Sequence, residues 1–457
     1  MEHTGQQAGR WAAPAAAGPV RARLAIPGSK SMTNRALVLA ALADGPGTIA
    51  GPLHARDTLL MRAALTALGA TITDNGQYDR GAAGPAPSWL VSPGRPEAGA
   101  SVDVGNAGTV LRFAPPVAAL TSVRVEFHGD ARAAQRPAGQ VLAALRELGA
   151  VIDDGARGAI PFTVHGSGAL PGGAVTLDAS ASSQFVSGLL LAAPRFDKGA
   201  EIRHRGGRVP SAPHIAMTVA MLRDAGAEVE TWARERDTPA GTADTWRVHP
   251  GVIGHHETIV QPDLSNAVPF LAAALVTGGA VTIAGWPAVT TQPAGQILDL
   301  LSAFGADCTL VKGEGEAGGG LTVTGTGRIR PVTADLADAS ESAPVAAALA
   351  ALADGPSRLT GIGHMRRHET DRLAALAAQI GALGGDVSEL PDGLAIRPRP
   401  LRASGQPFAS YDDHRMVMAA AVLGLAVPGI EVENAATVAK TFPGFTSLWA
   451  SMLEQVP

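Results

Sequence analysis

The feature that most constrains the fold of this 457-residue chain is an internal repeat. An apolar helix, a turn rich in Gly or Pro and a short strand recur six times along the sequence. One of these strands reads A-V-T-I-A-G, and the six end at Gly51, Gly129, Gly206, Gly285, Gly361 and Asn434. A spacing of roughly 77 residues is typical of a structural unit that packs on copies of itself.

A second marker runs in phase with the first. A helix that ends in glycine is followed by an alternating strand, as in E-L-G-A-V-I, with glycine at Gly69, Gly149, Gly226, Gly305 and Gly384. Glycine there predicts a helix end in the left-handed conformation, and the alternation predicts a half-buried strand. An Ala- and Gly-rich composition could imitate one period, but two markers in phase favour a true repeat. We therefore predict an α/β fold of six α+β units, three in each of two similar domains.

The composition is that of a globular protein, not of a disordered or nucleic-acid-binding one. Hydrophobic residues make up 46% of the chain and the formal net charge is −5, so nucleic acid is not an expected partner. Cys308 is the single cysteine, which excludes an intrachain disulfide and indicates a reducing compartment. The sequence contains no apolar run of membrane-spanning length. We predict a cytoplasmic protein with no membrane partner.

Residues 233–258 are polar and rich in turn-forming residues, which predicts a solvated segment near a crossing between domains. They include His249, His255 and His256, which raise the alternative of a metal site. The spacing of these histidines matches no compact ligand motif, and no cysteine lies nearby. We therefore predict no metal site here.

Several predicted helices begin with residues suited to anions, because the first N–H groups of a helix lack partners and lie at the positive end of its dipole. Ser and Asn are also ordinary N-caps, but these starts fall at related points of successive repeats. The starts are Pro27–Ser31, Gly105–Thr109, Ser182–Gln184 and Pro210–Pro213. Basic residues near turns predict a divided anion site, with surface salt bridges as the alternative. These residues are Lys30, Arg35, Arg112, Arg136, Arg372, Arg415 and Lys440.

The segment P-G-S-K-S-M-T-N-R, residues 27–35, also raises the alternative of a nucleotide-binding P-loop, as in a kinase or ATPase. The glycine expected five residues before Gly28 is missing, because Arg23 stands there. The chain also has no acidic strand suited to a metal. A nucleotide enzyme is therefore the less favoured interpretation.

Two glutamates are candidates for proton transfer. Glu341 opens an apolar helix, and Glu369 lies in R-R-H-E-T-D-R. A carboxylate at a helix start is more often a cap that interacts with the helix dipole, so both interpretations stay open at this point.

Six motifs, in this order and over nearly the full length, are similar to those of the 5-enolpyruvylshikimate-3-phosphate synthase family. They are P-G-S-K-S-M-T-N-R, G-N-A-G-T-V-L-R, S-S-Q-F, H-E-T-D-R-L, D-D-H-R-M and A-K-T-F-P-G-F. The resemblance implies two domains, each of three βαβαββ units, with the active site in the cleft between them. With the repeats, it predicts domain I at 21–28 and 259–457, and domain II at 29–258. Residues 1–20 contain only a short apolar stretch that Pro14 interrupts, which predicts a disordered N-terminal extension.

The resemblance also implies a reaction. The enolpyruvyl group of phosphoenolpyruvate passes to the 5-hydroxyl of shikimate 3-phosphate by addition to a tetrahedral intermediate and elimination of phosphate. No metal or organic cofactor is expected, and the implied pathway is aromatic amino acid biosynthesis. Both substrates are anions, which suits clustered cations and helix N-termini. We expect a monomer, and Gly108 implies the family's usual sensitivity to glyphosate.

The resemblance also implies roles for the residues of this chain that match the family's motifs. Lys30, Glu341 and Glu369 are expected to be catalytic, with Glu341 as the proton acceptor and Lys30 in contact with both substrates. The expected contacts of shikimate 3-phosphate are Lys30, Ser31, Arg35, Ser182, Ser183, Gln184, Ser211, Glu341, His364 and His368. The expected contacts of phosphoenolpyruvate are Lys30, Gly108, Arg136, Gln184, Arg372, Arg415 and Lys440.

Four positions depart from the enteric members of the family. Glu341 stands where those members have Asp, and Asp338 is a nearby rival for its role. His364 and His214 stand where they have Asn and Tyr. His368 stands where they have Lys, so a fixed charge becomes titratable. If His368 must be charged, activity would show a transition near neutral pH.

Two other function classes remain as alternatives. A sister enolpyruvyl transferase that acts on UDP-N-acetylglucosamine shares the fold and typically uses a cysteine on a loop. Cys308 lies in G-A-D-C-T-L, which predicts a buried strand after a helix. A repeat protein that binds ligands without catalysis is the other alternative. Phosphate release that requires both expected substrates would distinguish these possibilities.

Overall fold

The computed structural model of the chain describes residues 9–79, 85–233, 244–255, 257–311 and 319–455. His256, residues 1–8 of the predicted extension and residues 234–243 of the predicted solvated segment lie outside the described residues.

The described elements alternate between helices and short strands. The helices are α1 (Lys30–Ala41), α2 (Arg56–Ala67), α3 (Gly108–Ala119), α4 (Gly139–Glu147), α5 (Gln184–Ala192), α6 (Pro213–Asp224), α7 (Leu264–Thr277), α8 (Ala294–Ala303), α9 (Ala343–Ala351), α10 (Arg372–Ala382), α11 (His414–Ala426) and α12 (Phe445–Glu454). The strands are β1 (Trp11–Ala12), β2 (Arg21–Ala25), β3 (Gly47–Ala50), β4 (Thr71–Asp79), β5 (Pro85–Ser92), β6 (Ala100–Asp103), β7 (Arg124–His128), β8 (Val151–Asp153), β9 (Phe162–His165), β10 (Gly173–Leu177), β11 (Ala200–His204), β12 (Val229–Trp232), β13 (Thr245–Val248), β14 (Glu257–Ile259), β15 (Ala280–Ala284), β16 (Asp307–Val311), β17 (Gly320–Thr324), β18 (Thr333–Asp335), β19 (Ser357–Thr360), β20 (Asp386–Leu390), β21 (Gly393–Arg397) and β22 (Glu431–Val432).

The predicted repeat is present as a βαβαββ unit. In one unit, β6 and β7 are parallel and joined by α3, and α4 leads to the hairpin β8–β9, whose strand β9 pairs antiparallel with β7. Four other sheets have the same pattern, with strand orders β14-β3-β5-β4, β10-β11-β13-β12, β16-β17-β15-β2 and β18-β19-β21-β20. These sheets confirm the α/β fold class and its repeats.

The glycines that mark the helix ends adopt the predicted conformation. Each follows the second helix of its unit and has a φ between 84° and 109°, where a side chain would be strained. They are Gly69, Gly149, Gly226, Gly305 and Gly384. This local requirement of the backbone explains why the repeat can be recognised from the sequence.

The sixth unit is shorter than predicted, and the N-terminal segment completes it. Its strand β22 has two residues and pairs antiparallel with β1, while Phe408 forms a parallel bridge to Val432. Trp11 packs edge-on against Phe445 with ring centroids 6.4 Å apart, and Ala13 is buried. The expectation of a disordered extension is therefore wrong for residues 9–20. The apolar stretch W-A-A covers a strand edge that would otherwise have no partner.

The described residues divide into two compact units, each with its own apolar core. One contains residues 9–26, 262–311 and 319–455, and the other contains residues 27–79, 85–233, 244–255 and 257–261. The division falls after Ile26 and after Gln261, whereas the sequence placed domain boundaries after residues 28 and 258.

Each of the two compact units is centred on apolar helices. In the unit that contains residues 27–261, α3 is buried along its whole length and α5 over all but its first residue. In the other unit, α9 is buried throughout and α11 nearly so. A helix that is apolar on most sides belongs in a core, so these four helices form the centres of the two cores. None of the described helices is both long and apolar enough to cross a membrane.

Candidate active site

The predicted phosphate-binding segment forms the start of α1. The Ser29 side chain caps this helix by accepting a hydrogen bond from the backbone N–H of Met32 at 3.4 Å. Lys30 is the first helical residue, and its Nζ lies 3.3 Å from Oδ2 of Asp57 on α2. The Lys30 side chain is 22% exposed and that of Asp57 only 3%. The pair therefore presents its cation, not its carboxylate, to solvent.

Arg35 lies one turn further along α1 and is almost completely buried. Its guanidinium donates to Thr218 Oγ1 (2.7 Å), to Ser187 Oγ (3.2 Å) and to the backbone oxygens of Ser31 (2.9 Å) and His214 (3.0 Å). Burial lowers the pKa of Arg35 to about 9. Arg35 thus braces α1 against α5 and α6, and its contact with shikimate 3-phosphate stays a prediction.

Gly108 is the first residue of α3, and two guanidinium groups lie against it. A Cβ at this position would lie 2.5 Å from Nη2 of Arg136 and 2.7 Å from Nη1 of Arg112. Nη1 of Arg136 donates to the backbone oxygen of Asn106 at 2.7 Å, while its Nε is buried without a hydrogen-bond partner among the described residues. The glycine therefore leaves room for two cations at one helix start.

The remaining predicted contacts of this unit lie at the starts of α5 and α6. Ser182 Oγ accepts a hydrogen bond from the backbone N–H of Gln184 at 3.2 Å, and Ser183 is buried. Ser211 precedes α6 and has a φ of 53°, a left-handed conformation that is uncommon outside glycine and is often found at functional sites.

If Gly108 contacts phosphoenolpyruvate, as the family resemblance implies, Gly108→Ala is expected to weaken the binding of this substrate more than it changes the fold. The new methyl group would displace the ends of the Arg136 and Arg112 side chains. Alanine has a higher helix propensity than glycine by about 1 kcal/mol, which offsets part of this cost, so the net change in the free energy of unfolding should be small. The KM for phosphoenolpyruvate should rise by roughly 10-fold or more, since misplacement by about 1 Å can cost 100-fold. Steady-state kinetics would measure this effect. Gly295→Ala is the matched control, since its Cβ meets nothing within 4 Å at the start of α8.

The other unit contains a buried cluster of charges centred on Arg372. Its Nε and Nη2 donate to the two carboxylate oxygens of Asp413 at 2.7 and 3.2 Å. Nη1 donates to Glu341 Oε2 (3.1 Å) and Nη2 to Glu369 Oε2 (3.0 Å). Burial alone would lower the pKa of Arg372, but these three carboxylates raise it above its ordinary value. Arg372 is therefore a permanently charged centre that fixes three acidic side chains.

Glu341 lies at the junction of a short 3-10 turn, Ser340–Ser342, and α9. Its Oε2 lies 3.1 Å from Nη1 of Arg372 and 3.2 Å from Nε of Arg415. Burial raises the pKa of Glu341, but the positive charges of Arg372 and then Arg415 hold it well below its ordinary value. Glu341 is thus ionised at neutral pH, as a proton acceptor must be before it acts.

Glu369 forms a second pair of charges in the same cluster. Its Oε1 accepts a hydrogen bond from Nζ of Lys440 at 3.1 Å, and both side chains are almost fully buried. Arg415 follows Asp413 at the start of α11, where its backbone N–H donates to Asp413 Oδ1 at 2.8 Å. The structure therefore brings together Glu341, Glu369, Arg372, Arg415 and Lys440, which the sequence predicted separately.

Two histidines complete this cluster as neutral groups. Arg372 Nη1 donates to Nδ1 of His368 at 3.2 Å, and the rings of His364 and His368 pack edge to face with centroids 5.3 Å apart. Burial lowers the pKa of His364 to about 4. Burial and then the charge of Arg372 lower the pKa of His368 to about 3. With this lowered pKa, the folded chain favours the neutral imidazole of His368 near pH 7, so the transition of activity that a required His368 charge would give is not expected.

The neutral state of His368 predicts a pH dependence of stability. The ordinary histidine pKa of 6.5 applies to the unfolded chain, so the unfolded state binds more protons below pH 6.5 and the free energy of unfolding falls toward pH 3. His368→Asn should make this fall shallower by about 1.4 kcal/mol per pH unit between about pH 4 and 6. Denaturant titrations at several pH values would measure it. His165→Asn, at an exposed histidine of β9, controls for the loss of an imidazole. An unchanged slope would contradict the assignment.

Two carboxylates of the site did not emerge from the sequence. Asp57 holds Lys30 from a helix 27 residues away, and Asp413 holds Arg372 from 41 residues away. Asp413 was visible in D-D-H-R-M, but its role depends on a partner that only the fold brings close. Arg112 was noted as a basic residue without a role.

The histidines considered for a metal lie apart from this cluster in the sequence. Among the described residues, one group of potential ligands has its atoms within 4.8 Å of one another, namely Glu228, Glu230 and His249. His249 Nε2 lies 2.7 Å from Glu230 Oε1, and His255 Nδ1 lies 3.1 Å from Asp44 Oδ1. The side chains involved are largely exposed, and such surface pairs are common without an ion.

The fold and sequence match those of known proteins. Over 97% of the chain, the structure resembles EPSP synthase from Acinetobacter baumannii (TM-score 0.76, 24% identity, 98% of that chain). It likewise resembles the enolpyruvyl transferase NikO from Streptomyces tendae (TM-score 0.74, 17% identity, 98% of that chain). The fold is thus that of the enolpyruvyl transferases.

A narrower assignment comes from the sequence matches. Residues 14–449 match the family model of EPSP synthase (3-phosphoshikimate 1-carboxyvinyltransferase). The chain is 51% identical over 452 residues to the 3-phosphoshikimate 1-carboxyvinyltransferase of Kocuria rhizophila, which covers 97% of this chain and 96% of the relative. The chain belongs to the EPSP synthase family.

Proposed function

We propose that this chain transfers the enolpyruvyl group of phosphoenolpyruvate to the 5-hydroxyl of shikimate 3-phosphate and releases phosphate. The observation that carries the proposal is the cluster in which Glu341 and Glu369 lie among Arg372, Arg415 and Lys440. Cations of this kind suit substrates that carry phosphate and carboxylate groups. Two carboxylates beside them suit a reaction that moves one proton from a hydroxyl and another to a carbon.

Substrate binding is assigned to residues of both compact units. Lys30, the start of α1 and the start of α5 would hold shikimate 3-phosphate, together with Ser31, Ser182, Ser183 and Ser211. Gly108, Arg136 and Gln184 would hold phosphoenolpyruvate with Arg372, Arg415 and Lys440. That both groups contact the same pair of substrates is part of the proposal, as are the catalytic roles.

The charges of the cluster support an assignment of the proton transfers. Glu341 would remove the proton of the substrate hydroxyl as the hydroxyl oxygen attacks the enol carbon of phosphoenolpyruvate. A proton is added at the methylene carbon, which gives the tetrahedral intermediate. Loss of phosphate and of a methyl proton then restores the double bond in the product. Glu369, which is paired with Lys440, would take part in the proton transfers at carbon.

The sister activity on UDP-N-acetylglucosamine is less well supported. The thiol typical of that enzyme lies on a loop, whereas Cys308 lies in β16 and is partly buried against the apolar core. Burial raises the pKa of Cys308, which leaves less of the reactive thiolate at neutral pH. Cys308 is thus poorly suited to a catalytic role.

Phosphate release assays with purified protein would test the proposed function. Phosphate should appear only when phosphoenolpyruvate and shikimate 3-phosphate are both present. Release that requires UDP-N-acetylglucosamine or ATP would contradict the proposal. Light scattering after size-exclusion chromatography would test the expected monomer, and cell fractionation would test the expected cytoplasmic location.

A further inference from the structure

Arg112 lies beside three residues that are expected to contact phosphoenolpyruvate, namely Gly108, Arg136 and Gln184. Its Nη1 donates to Gln184 Oε1 at 2.9 Å and to the backbone oxygen of Gly108 at 3.3 Å. Its Nε and Nη2 donate to the backbone oxygen of Pro137 at 3.3 and 2.9 Å, directly after Arg136. Arg112 is only 3% exposed, so its donors are directed to these groups within the protein.

The packing of α3 on α5 places Arg112 beside Gln184. Gly188 lies one turn after Gln184 on α5, and a Cβ on Gly188 would lie 2.3 Å from the backbone oxygen of Arg112. Because Gly188 has no side chain, the two helices can approach this closely. The guanidinium of Arg112 also lies over the ring of Phe185, 5.4 Å from its centroid. The position of Arg112 is therefore determined on several sides.

The chemistry of the two side chains determines the orientation of Gln184. A guanidinium can only donate hydrogen bonds, so the Gln184 amide must direct its oxygen toward Arg112. The NH2 group of the amide then points the other way and can only donate. An anionic oxygen accepts hydrogen bonds from such a group, whereas an amide turned the other way would direct its oxygen at the anion.

We propose that Arg112 is a positioning residue for phosphoenolpyruvate, which orients the Gln184 amide as a donor and holds the backbone beside Arg136. This inference rests on the proposed function, since it needs Gln184 and Arg136 to contact the substrate. It assigns no proton transfer or bond cleavage to Arg112.

Steady-state kinetics of Arg112→Met test this role. The KM for phosphoenolpyruvate should rise by roughly 10- to 100-fold, the range expected when a hydrogen bond from a charged group is lost. The kcat should fall by a smaller factor. Gln184→Ala should raise the same KM. In the Gln184→Ala background, Arg112→Met should raise the KM for phosphoenolpyruvate by a factor at least about 3-fold smaller than in the unmodified chain, because part of its effect acts through Gln184.

Two further variants separate orientation from simple structural support. Gln184→Glu keeps the contact with Arg112 but removes the NH2 donor, so the KM for phosphoenolpyruvate should rise at least as much as in Arg112→Met. Arg195→Met is the matched control, because Arg195 donates to the backbone oxygens of Leu42 (2.7 Å) and Ala43 (3.0 Å) at the end of α1. It should lower the melting temperature without raising this KM.

The results distinguish this inference from the proposed function. If the unmodified chain releases no phosphate with both substrates, the proposed function itself is wrong. If that chain is active but Arg112→Met leaves the KM for phosphoenolpyruvate unchanged, the positioning role is wrong. The role is also wrong if the double variant raises this KM by the full product of the two single-variant factors. Should Arg112→Met fail to fold, Arg112→Lys takes its place. Its single ammonium cannot replace the planar fork of donors, so the same rise in KM is expected.

Discussion

Glu341→Gln is expected to reduce kcat by roughly 100- to 10,000-fold, the range of a lost general base. The amide keeps the shape of the carboxylate but cannot accept the hydroxyl proton. The KM for phosphoenolpyruvate should stay constant or fall, because Arg372 and Arg415 lose the carboxylate that lies 3.1 and 3.2 Å from them. Initial rates of phosphate release with each substrate varied in turn would measure both effects.

The pH dependence of the unmodified chain provides a second measure of the same role. The profile of kcat/KM reports the free enzyme and that of kcat reports the substrate complex. In the free enzyme, Arg372 and Arg415 hold the pKa of Glu341 well below its ordinary value of 4.5. A bound anion would offset these charges and raise that pKa, so the acid limb of kcat should lie at higher pH than that of kcat/KM.

Two variants control the assignment of Glu341. Glu341→Asp places the carboxylate of the enteric relatives at this position and should keep more activity than Glu341→Gln. Asp338→Asn tests the nearby rival and should leave kcat within about 10-fold of normal. If Glu341→Gln kept full turnover while Asp338→Asn lost it, the proton acceptor would be Asp338.

The repeats were predictable because they are imposed by local chemistry. A helix that ends at Gly149 with a φ of 109° needs glycine whatever surrounds it, and each unit repeats that need. The N-terminal strand was not predictable in the same way. Trp11 and Ala12 form a strand only because Val432 and Glu431 offer an edge more than 400 residues away, and two residues carry no periodicity of their own.

The residues of the site were predictable as types but not as partners. Lys30 and Arg415 stand in motifs that the sequence shows directly, whereas the pairing of Arg372 with Asp413 depends on α10 and α11 meeting in the core. The protonation of His368 was left open by the sequence for a related reason. Its charge depends on burial and on the distance to Arg372, and neither can be read from the residues beside it.

Arg372→Met is expected to destabilise the protein by about 3–5 kcal/mol, because removing one partner of a buried ion pair leaves uncompensated charge. Here the loss affects Asp413 and Glu369, which are almost fully buried, as well as Glu341. Denaturant unfolding followed by circular dichroism would measure the change. Arg366→Met is the matched control in the same unit, because Arg366 bridges Asp371 and Glu389 from a position that is 29% exposed. A surface pair of this kind contributes about 0–1 kcal/mol.

The pH dependence of this loss distinguishes charge from packing. Arg372 gives the largest of the electrostatic contributions that lower the pKa of Glu341. A carboxylate with a lowered pKa stabilises the folded state above its ordinary pKa of 4.5, and that contribution is lost as the pH falls through the folded value. The stability difference between the unmodified chain and Arg372→Met should therefore be largest above about pH 5 and should narrow toward pH 3. A difference that stays constant over this range would mean that Arg372 stabilises the fold by packing, and that its charge does not control Glu341.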